Sequence, residues 1–373
     1  MLSFWEKNSF LNYDFIIIGS GILGLSTACS IKEKNSKAKV LVLERGIFPT
    51  GASTKNAGFA CFGSLTEILT DIKNLGVNET VNLVEKRYKG IQKLRSRLGD
   101  KNIGFENHGG YELIMEKYFN CIEELPYINR KLGYIFNEDV FQIKNHKIKE
   151  FGFETSQVKA LVYSKFESQI DTGKMMNSLI DYANSIGIRI LTGCEVSNYS
   201  EKENYVKVFI KGYNDTEAVF SAKKIFVCAN AFIKNILPGL DIKPGRGQVL
   251  ITKPVENLKF KGVFHIEEGF YYFRNYENRV LFGGGRNLDF DTEASSKFEM
   301  NERIINDLKK KLSDVILPGQ KFEIDQCWTG IMGFTANRLP LIENISDRVT
   351  CVMSCNGMGI ALSSVIADEI TNF

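Results

Sequence analysis

Asp14-Phe15-Ile16-Ile17-Ile18-Gly19-Ser20-Gly21-Ile22-Leu23-Gly24 decides how the rest of the chain is read. The run from Asp14 to Ile18 is short and continuously apolar, as a strand covered on both faces must be. A turn follows with the spacing Gly-x-Gly-x-x-Gly, and then small residues at Ser26, Ala28 and Ser30, where a helix would pack on a sheet. Lys39 to Glu44 is a second buried strand, so residues 14–44 form one βαβ unit. In such a unit Gly19 permits the tight turn, Gly21 lets the backbone approach a pyrophosphate, and Gly24 lets the helix lie close on the strand. The helix start at Ile22 adds unpaired N–H groups and a partial positive charge for phosphates. Glu44, twenty positions after the last glycine, is placed to accept hydrogen bonds from ribose hydroxyls. Its charge opposes a 2′-phosphate and argues against NADP. The unit therefore reads as a dinucleotide site, with NAD and FAD both open.

Composition limits what surrounds this unit. At 373 residues, 44% apolar and 24% charged, the chain fits a soluble globular protein of two domains. A formal charge of +3 gives no reason to expect nucleic acid or an anionic membrane as partner. The eight cysteines (29, 61, 121, 194, 228, 327, 351 and 355) stand singly, as reduced thiols in a reducing compartment do. His108, His146 and His265 are the only histidines, with no clustered Cys or His spacing, so no metal site is expected. The apolar stretch 15–31 is interrupted by three glycines, follows Asp14 rather than a basic cluster, and falls short of the ~20 residues a bilayer needs. We expect no membrane span and a cytoplasmic protein.

Further along, Val81, Val84, Tyr88, Ile91, Leu94 and Leu98 recur at helical spacing and end at Gly99. The opposite side carries Lys86, Arg87, Lys89, Lys93, Arg95 and Arg97, which reads as a solvated face. A helix near 173–185 precedes a strand at 189–191 and paired strands at 204–211 and 217–228. Residues 246–252 and 262–286 read as an antiparallel sheet, and a strand at 349–353 leads into a C-terminal helix. Strands of α/β character at both ends with an antiparallel block between them predict a discontinuous layout, one domain inserted into another.

Several segments carry a family likeness. Gly51-Ala52-Ser53-Thr54-Lys55-Asn56-Ala57-Gly58, Glu195-Val196, Phe226-Val227-Cys228-Ala229-Asn230-Ala231, Pro244-Gly245-Arg246-Gly247-Gln248, Trp328-Thr329-Gly330, Asn337-Arg338-Leu339-Pro340 and Asn356-Gly357-Met358-Gly359 resemble successive motifs of the D-amino-acid oxidase/glycine oxidase superfamily. Within it the pattern is nearest to γ-glutamylputrescine oxidoreductase-like enzymes. The resemblance implies an α/β fold, α+β overall: a Rossmann-like FAD-binding domain (12–85, 158–243, 328–373) with an inserted antiparallel-sheet substrate domain (86–157, 244–327). It implies FAD as cofactor, contacted by Gly19, Gly21, Ile22, Gly24, Glu44, Arg45, Ser53, Thr54, Asn56, Ala57, Gly58, Val196, Ala229, Asn230, Gly330, Asn356, Gly357, Met358, Gly359 and Ile360. Gly58 would give the flavin ring room, and the last helix would face its N1/C2 carbonyl edge.

The implied reaction is hydride transfer from a carbon bearing nitrogen to flavin N5, with a small amine or amino acid as substrate and O2 or another acceptor taking the electrons. Glycine oxidase-like members grip the substrate carboxylate with an arginine two positions after the glycine matching Gly330; this chain has Met332, which cannot form a charge-assisted bidentate pair. Either the carboxylate is remote or missing, or another cation such as Arg286 or Arg274 replaces it. In the strand 269–274 Tyr271 and Phe273 share one face, Tyr272 and Arg274 the other. Candidate pocket residues are Trp328, Met332, Tyr272, Arg274, Arg286 and His265. Cys327 lies where sarcosine oxidase-like relatives carry a covalent flavin thioether, and a buried thiol is its plainer reading. Two other activities share the fold's logic, a 2-hydroxy acid dehydrogenase and a flavin-bearing electron-relay subunit. A role in tRNA modification is disfavoured by the near-neutral charge.

Overall fold

A computed structural model describes residues 2–211, 219–353 and 356–372. Among these, two eight-stranded sheets carry the architecture. The first is organised around the strand Asn12–Ile18, which pairs in parallel with Val40–Leu43 on one side and Phe220–Val227 on the other. Parallel neighbours Arg189–Leu191 and Val349–Met353 extend it, and Leu341–Asn344 closes one edge antiparallel. Both faces are covered, so Ile16 and Ile17, which point to opposite sides, are each fully buried. Helices Ile22–Lys34, Val77–Leu98, Thr172–Ser185 and Gly359–Ile370 lie on the Ile17 side. The last of these packs against both Val77–Leu98 and Ile22–Lys34. The fit is so close that a Cβ on Gly90 would stand 1.9 Å from the Ala361 carbonyl oxygen.

The second sheet runs in the order Ile324–Phe334, Lys243–Thr252, Arg279–Gly284, Tyr271–Tyr276, Val263–Ile266, Gly110–Met115, Val158–Ser164, Gln142–Ile143. It is antiparallel except where Val263–Ile266 meets Gly110–Met115 in parallel. One face is aromatic and closed: Phe264 stacks on Phe273 at 4.6 Å and 5°, with Phe260, Phe153 and Phe282 edge-on around them. Each such fully buried ring contributes about 1.5–3 kcal/mol of burial. The other face turns to the first sheet.

Four expectations are corrected here. Val158–Ser164 does not open a stretch of the dinucleotide half; it pairs with Gly110–Met115 in the second sheet. The ladder between Lys243–Thr252 and Ile324–Phe334 holds one register from Phe334 to Gln326 and shifts only before Ile324, so a boundary at 328 would cut a single strand. The helix Val77–Leu98 likewise runs unbroken across the boundary drawn at 85/86. Nor is its basic side wholly solvated. Arg87 is buried, donating to the Phe62 carbonyl at 3.0 Å beside Asp71. The Arg97 side chain is buried between Glu33 (2.8 Å) and Ser30 (2.9 Å). The reason is packing: helices Leu65–Leu75 and Gly359–Ile370 both cover this helix, so more than one side of it faces protein. Lys89 remains exposed, with Glu85 as partner. The expected strand at 217–228 begins in residues outside the described ones, as does Cys355.

Candidate cofactor and substrate site

The Gly-x-Gly-x-x-Gly turn has the geometry its spacing requires. Gly19 adopts φ +105°, open to few residues but glycine, and a Cβ on Gly24 would stand 1.9 Å from the Gly19 carbonyl oxygen. Glu44 is buried at the end of the second strand. It accepts the Ser20 N–H (3.0 Å) and hydroxyl (2.7 Å) on one oxygen and the Gly46 N–H (2.9 Å) on the other. These bonds fix a carboxylate beside the turn.

From the turn a cavity of about 620 Å³ runs between the two sheets, within the range of cofactor clefts. It gathers segments far apart in sequence: Gly19, Gly21, Ile22, Glu44, Arg45, Ser53, Asn56, Ala57, Val196, Ala229, Asn230, Gly330 and Asn356 to Ile360 all line it. Of the proposed cofactor contacts, Gly24, Thr54 and Gly58 lie behind this lining. Gly24 packs on Gly19, and the Thr54 hydroxyl holds the Pro49 carbonyl at 2.9 Å. Gly58, at φ +76°, is pressed against the Ile170 carbonyl.

The lining is held by side chains that spend their polar atoms on the backbone. Ser53 Oγ accepts the Ile22 N–H at 2.9 Å. Asn56 Oδ1 accepts from the Gly58 N–H (2.9 Å) and the Thr172 hydroxyl (2.8 Å). Asn230 donates to the Ile331 carbonyl and accepts the Gly333 N–H, while Asn356 accepts the Thr335 N–H. Both asparagines sit at positive φ, which their residue type tolerates. The helices Ile22–Lys34 and Gly359–Ile370 begin at the cavity with no side chain capping them at their N-cap residues. Their N-terminal N–H groups and dipoles suit an anionic pyrophosphate and an electron-rich ring edge, so the residues present fit FAD.

The opposite wall is the free face of the second sheet. Trp328, Val249, Gly283, Tyr272, His265 and Glu112 are successive register partners across five strand pairings and therefore share that face. Of the candidate pocket residues, Met332, Tyr272, Arg286 and His265 line the cavity. Trp328 and Arg274 do not. Trp328 is drawn away by a hydrogen bond from its Nε1 to the Lys55 carbonyl (2.9 Å) and opens with Cys327 on a separate cleft. Cys327 is thus a half-buried thiol outside the main cavity. Arg274 is buried, donating from Nε to the Ala57 carbonyl at 2.5 Å, and burial lowers its pKa to about 10. It clamps the 56–58 segment rather than facing a substrate. Tyr271 and Phe273 point into the aromatic core.

Arg286 is one of the cations that line the cavity, with Arg338 near it. Its guanidinium lies over the Phe334 ring at 4.1 Å, two residues along the strand from Met332, and its buried Nε has no hydrogen-bond partner. Burial lowers its pKa from the usual arginine value.

Elsewhere in the cavity wall is a charged group that sequence spacing did not suggest. His265 lies between Glu67 (3.4 Å from Nδ1) and Glu167 (3.3 Å from Nε2). Burial works against its protonated form, but Glu167, Glu67 and Glu112 outweigh it and raise the pKa to about 9. Glu112 is buried and pushed up to about 7, while Thr66 hydrogen bonds hold it partly down. Tyr272 is pushed up to about 12 by burial and meets Phe59 edge-on. Glu67, Glu167 and Cys61 could not have been found from spacing, because they come together only when three separate segments fold. The period-two pattern did put His265 and Glu112 within reach of discovery, as both belong to strands.

Residues 14–373 match the family described as DAO, FAD dependent oxidoreductase. The chain belongs to this family. Probable oxidoreductase OrdL of Haemophilus influenzae is 23% identical, over 94% of this chain and 80% of that protein. Among solved DAO-like structures, L-proline dehydrogenase from P. horikoshii aligns with a TM-score of 0.77 at 14% identity, over 97% of this chain and 92% of the other. Glycine oxidase from Geobacillus kaustophilus gives 0.75 at 17%, over 96% and 93%. The DAO membership makes the protein an FAD-dependent oxidoreductase and agrees with the Rossmann-like half described above. Among the described residues no helix is long and apolar enough to cross a membrane.

Proposed function

We propose that this DAO-family protein oxidises a C–N bond of a small amine or amino acid, with Arg286 gripping the substrate carboxylate and O2 as the final acceptor. The observation that carries this reading is the unpartnered Nε of Arg286 in the cavity wall, stacked on Phe334 beside Met332. A guanidinium from the short turn Arg286–Leu288, just after the strand Arg279–Gly284, thereby serves the region where Met332 offers none. The likeness to structures named proline dehydrogenase and glycine oxidase supports the same substrate class.

The substrate carbon–nitrogen bond loses two electrons and two protons to become an imine, and O2 gains them as hydrogen peroxide; water then hydrolyses the imine. Bound FAD supplies the two-electron relay between the two half-reactions. The chain's own part is binding and exclusion. Arg286 orients the carboxylate, the Tyr272 hydroxyl is a neutral hydrogen-bonding group over the site, and Phe59 and Phe270 keep water from it.

The test is an anaerobic titration of the FAD-loaded protein with amines, amino acids and 2-hydroxy acids, followed by admission of air. Bleaching by an amine or amino acid, then oxygen uptake with peroxide release, is expected. Bleaching by 2-hydroxy acids alone would make it a hydroxy acid dehydrogenase, and a spectrum nothing bleaches would leave an electron-relay subunit. In Arg286→Met the KM of a carboxylate-bearing substrate should rise roughly 10–100-fold, the cost of one charged hydrogen-bonding pair. The corresponding amine without the carboxylate should be unaffected.

A further inference from the structure

Around His265 in the cavity wall three side chains from distant parts of the chain converge. Cys61 Sγ, a Glu167 carboxylate oxygen and a His265 ring nitrogen lie within 4.8 Å of one another, and all three residues are buried. Nε2 of His265 and Oε2 of Glu167 are 3.3 Å apart. Neither ring nitrogen of His265 makes a hydrogen bond, although the residue is only 4% exposed. Glu167 is anchored through its other oxygen, Oε1, which accepts the N–H groups of Phe62 and Gly63 at 3.1 Å each. On the far side of the imidazole, Nδ1 faces Glu67 Oε2 at 3.4 Å.

We propose that Cys61, Glu167 and His265 bind a divalent transition-metal ion, zinc by its donor set, with the fourth coordination position open to the cavity. One sulfur, one nitrogen and one oxygen donor suit zinc and do not suit magnesium or calcium, which take oxygen. Two zinc ligands at about 2.0–2.1 Å, separated by a tetrahedral angle, stand about 3.3 Å apart. That is the Nε2–Oε2 separation found. The surroundings repeat the logic. Zinc-bound histidines usually present their second nitrogen to a carboxylate that fixes the tautomer, and Glu67 occupies that place.

Closing the site needs one small movement. The Cys61 thiol now donates to the Ser168 carbonyl at 3.7 Å; as a thiolate it has no proton to donate and turns to the ion. Cys61 and His265 line the cavity while Glu167 does not, so the open position looks toward the cavity. A bound ion would tie the segment after Phe59–Ala60 to Val263–Ile266 and to Glu167, which immediately precedes Ser168–Gln169.

The experiment takes the FAD-loaded protein, equilibrates it with zinc chloride, removes loosely held ion by desalting and measures metal by mass spectrometry. One zinc per chain is expected. Zinc-edge X-ray absorption should show one sulfur at about 2.3 Å with nitrogen and oxygen at about 2.0–2.1 Å. Cys61→Ser and His265→Gln should each weaken zinc binding at least tenfold while retaining FAD, and Cys327→Ser, outside the cluster, should bind as the wild type does. Wild-type protein holding no more zinc than Cys61→Ser, or zinc without a sulfur neighbour, would overturn the proposal and leave a His265–Glu167 ion pair. Should the variants fail to fold, the wild-type absorption spectrum decides alone by the presence or absence of that sulfur.

Discussion

The two faces of the second sheet are made by the same strands and do different work. On one, Phe264, Phe273, Phe282 and Tyr271 alternate into a closed aromatic core. On the other, Arg274, His265 and Glu112 are just as buried and Tyr272 is half-buried, yet they meet polar groups, the 56–58 segment or the cavity. Burial alone therefore does not separate stability from function here; what each face is buried against does. The core face is not wholly apolar either. Arg246 and Gln248, on the side of Leu250, are paired with the fully buried Glu293 at 2.7 and 2.9 Å. The charged group on that face, Arg246, finds its counter-charge within the protein, whereas Arg286 is left with an unpaired Nε in the cavity wall.

Four substitutions test this division. Phe273→Ala should cost about 3–5 kcal/mol of stability, since its stacked neighbours cannot fill the gap, and should leave the KM of the remaining folded protein unchanged; a thermal melt with parallel kinetics reads both. Glu293→Gln should cost about 3 kcal/mol by leaving Arg246 buried without its counter-charge. Burial opposes ionisation of Glu293, but Arg246, Asn301 and Gln248 outweigh it and hold its pKa below the ordinary 4.5. Its stabilisation is therefore present above that value and lost as pH falls through the lower folded value. Melts across the acid range should show this loss in the wild type and a flatter profile in Glu293→Gln.

Arg274→Met should cost about 1–3 kcal/mol by orphaning the Ala57 carbonyl. If the functional face holds the cofactor segment, much of that loss should appear as weaker FAD binding by fluorescence titration, and an unchanged FAD affinity would count against the distinction drawn between the faces. Tyr272→Phe should change stability by under about 1 kcal/mol and shift KM a few-fold, the smallest effect of the four.

The sequence carried most of the fold because its strongest signals are local. The strand 189–191 and the strand 349–353 fall where periodicity put them, and the turn at Gly19 to Gly24 needs no distant partner to be read. The boundaries at 158 and 328 were illegible for the opposite reason: which sheet a strand joins is fixed by hydrogen bonds to residues some 45 to 80 positions away. The site divides in the same way. Tyr272 and Arg274 were separable from Tyr271 and Phe273 by alternation, but which of the pair reaches the cavity depends on Ala57 capturing the guanidinium. Of the Cys61–Glu167–His265 group only His265 had a signal, since an absence of clustered spacing says nothing about residues joined by folding.

The helix Gly359–Ile370 gives the fold an order in time. Among the described residues it follows every other helix in the chain, yet it is wedged against Gly90 and the first βαβ unit, and its leading residues wall the cavity. While the ribosome still holds this segment, the nascent chain has its glycine turn but no enclosed cleft. Cofactor loading must then wait for this segment to emerge, and nascent chains arrested before residue 356 should be unable to retain FAD however well their first sheet has formed.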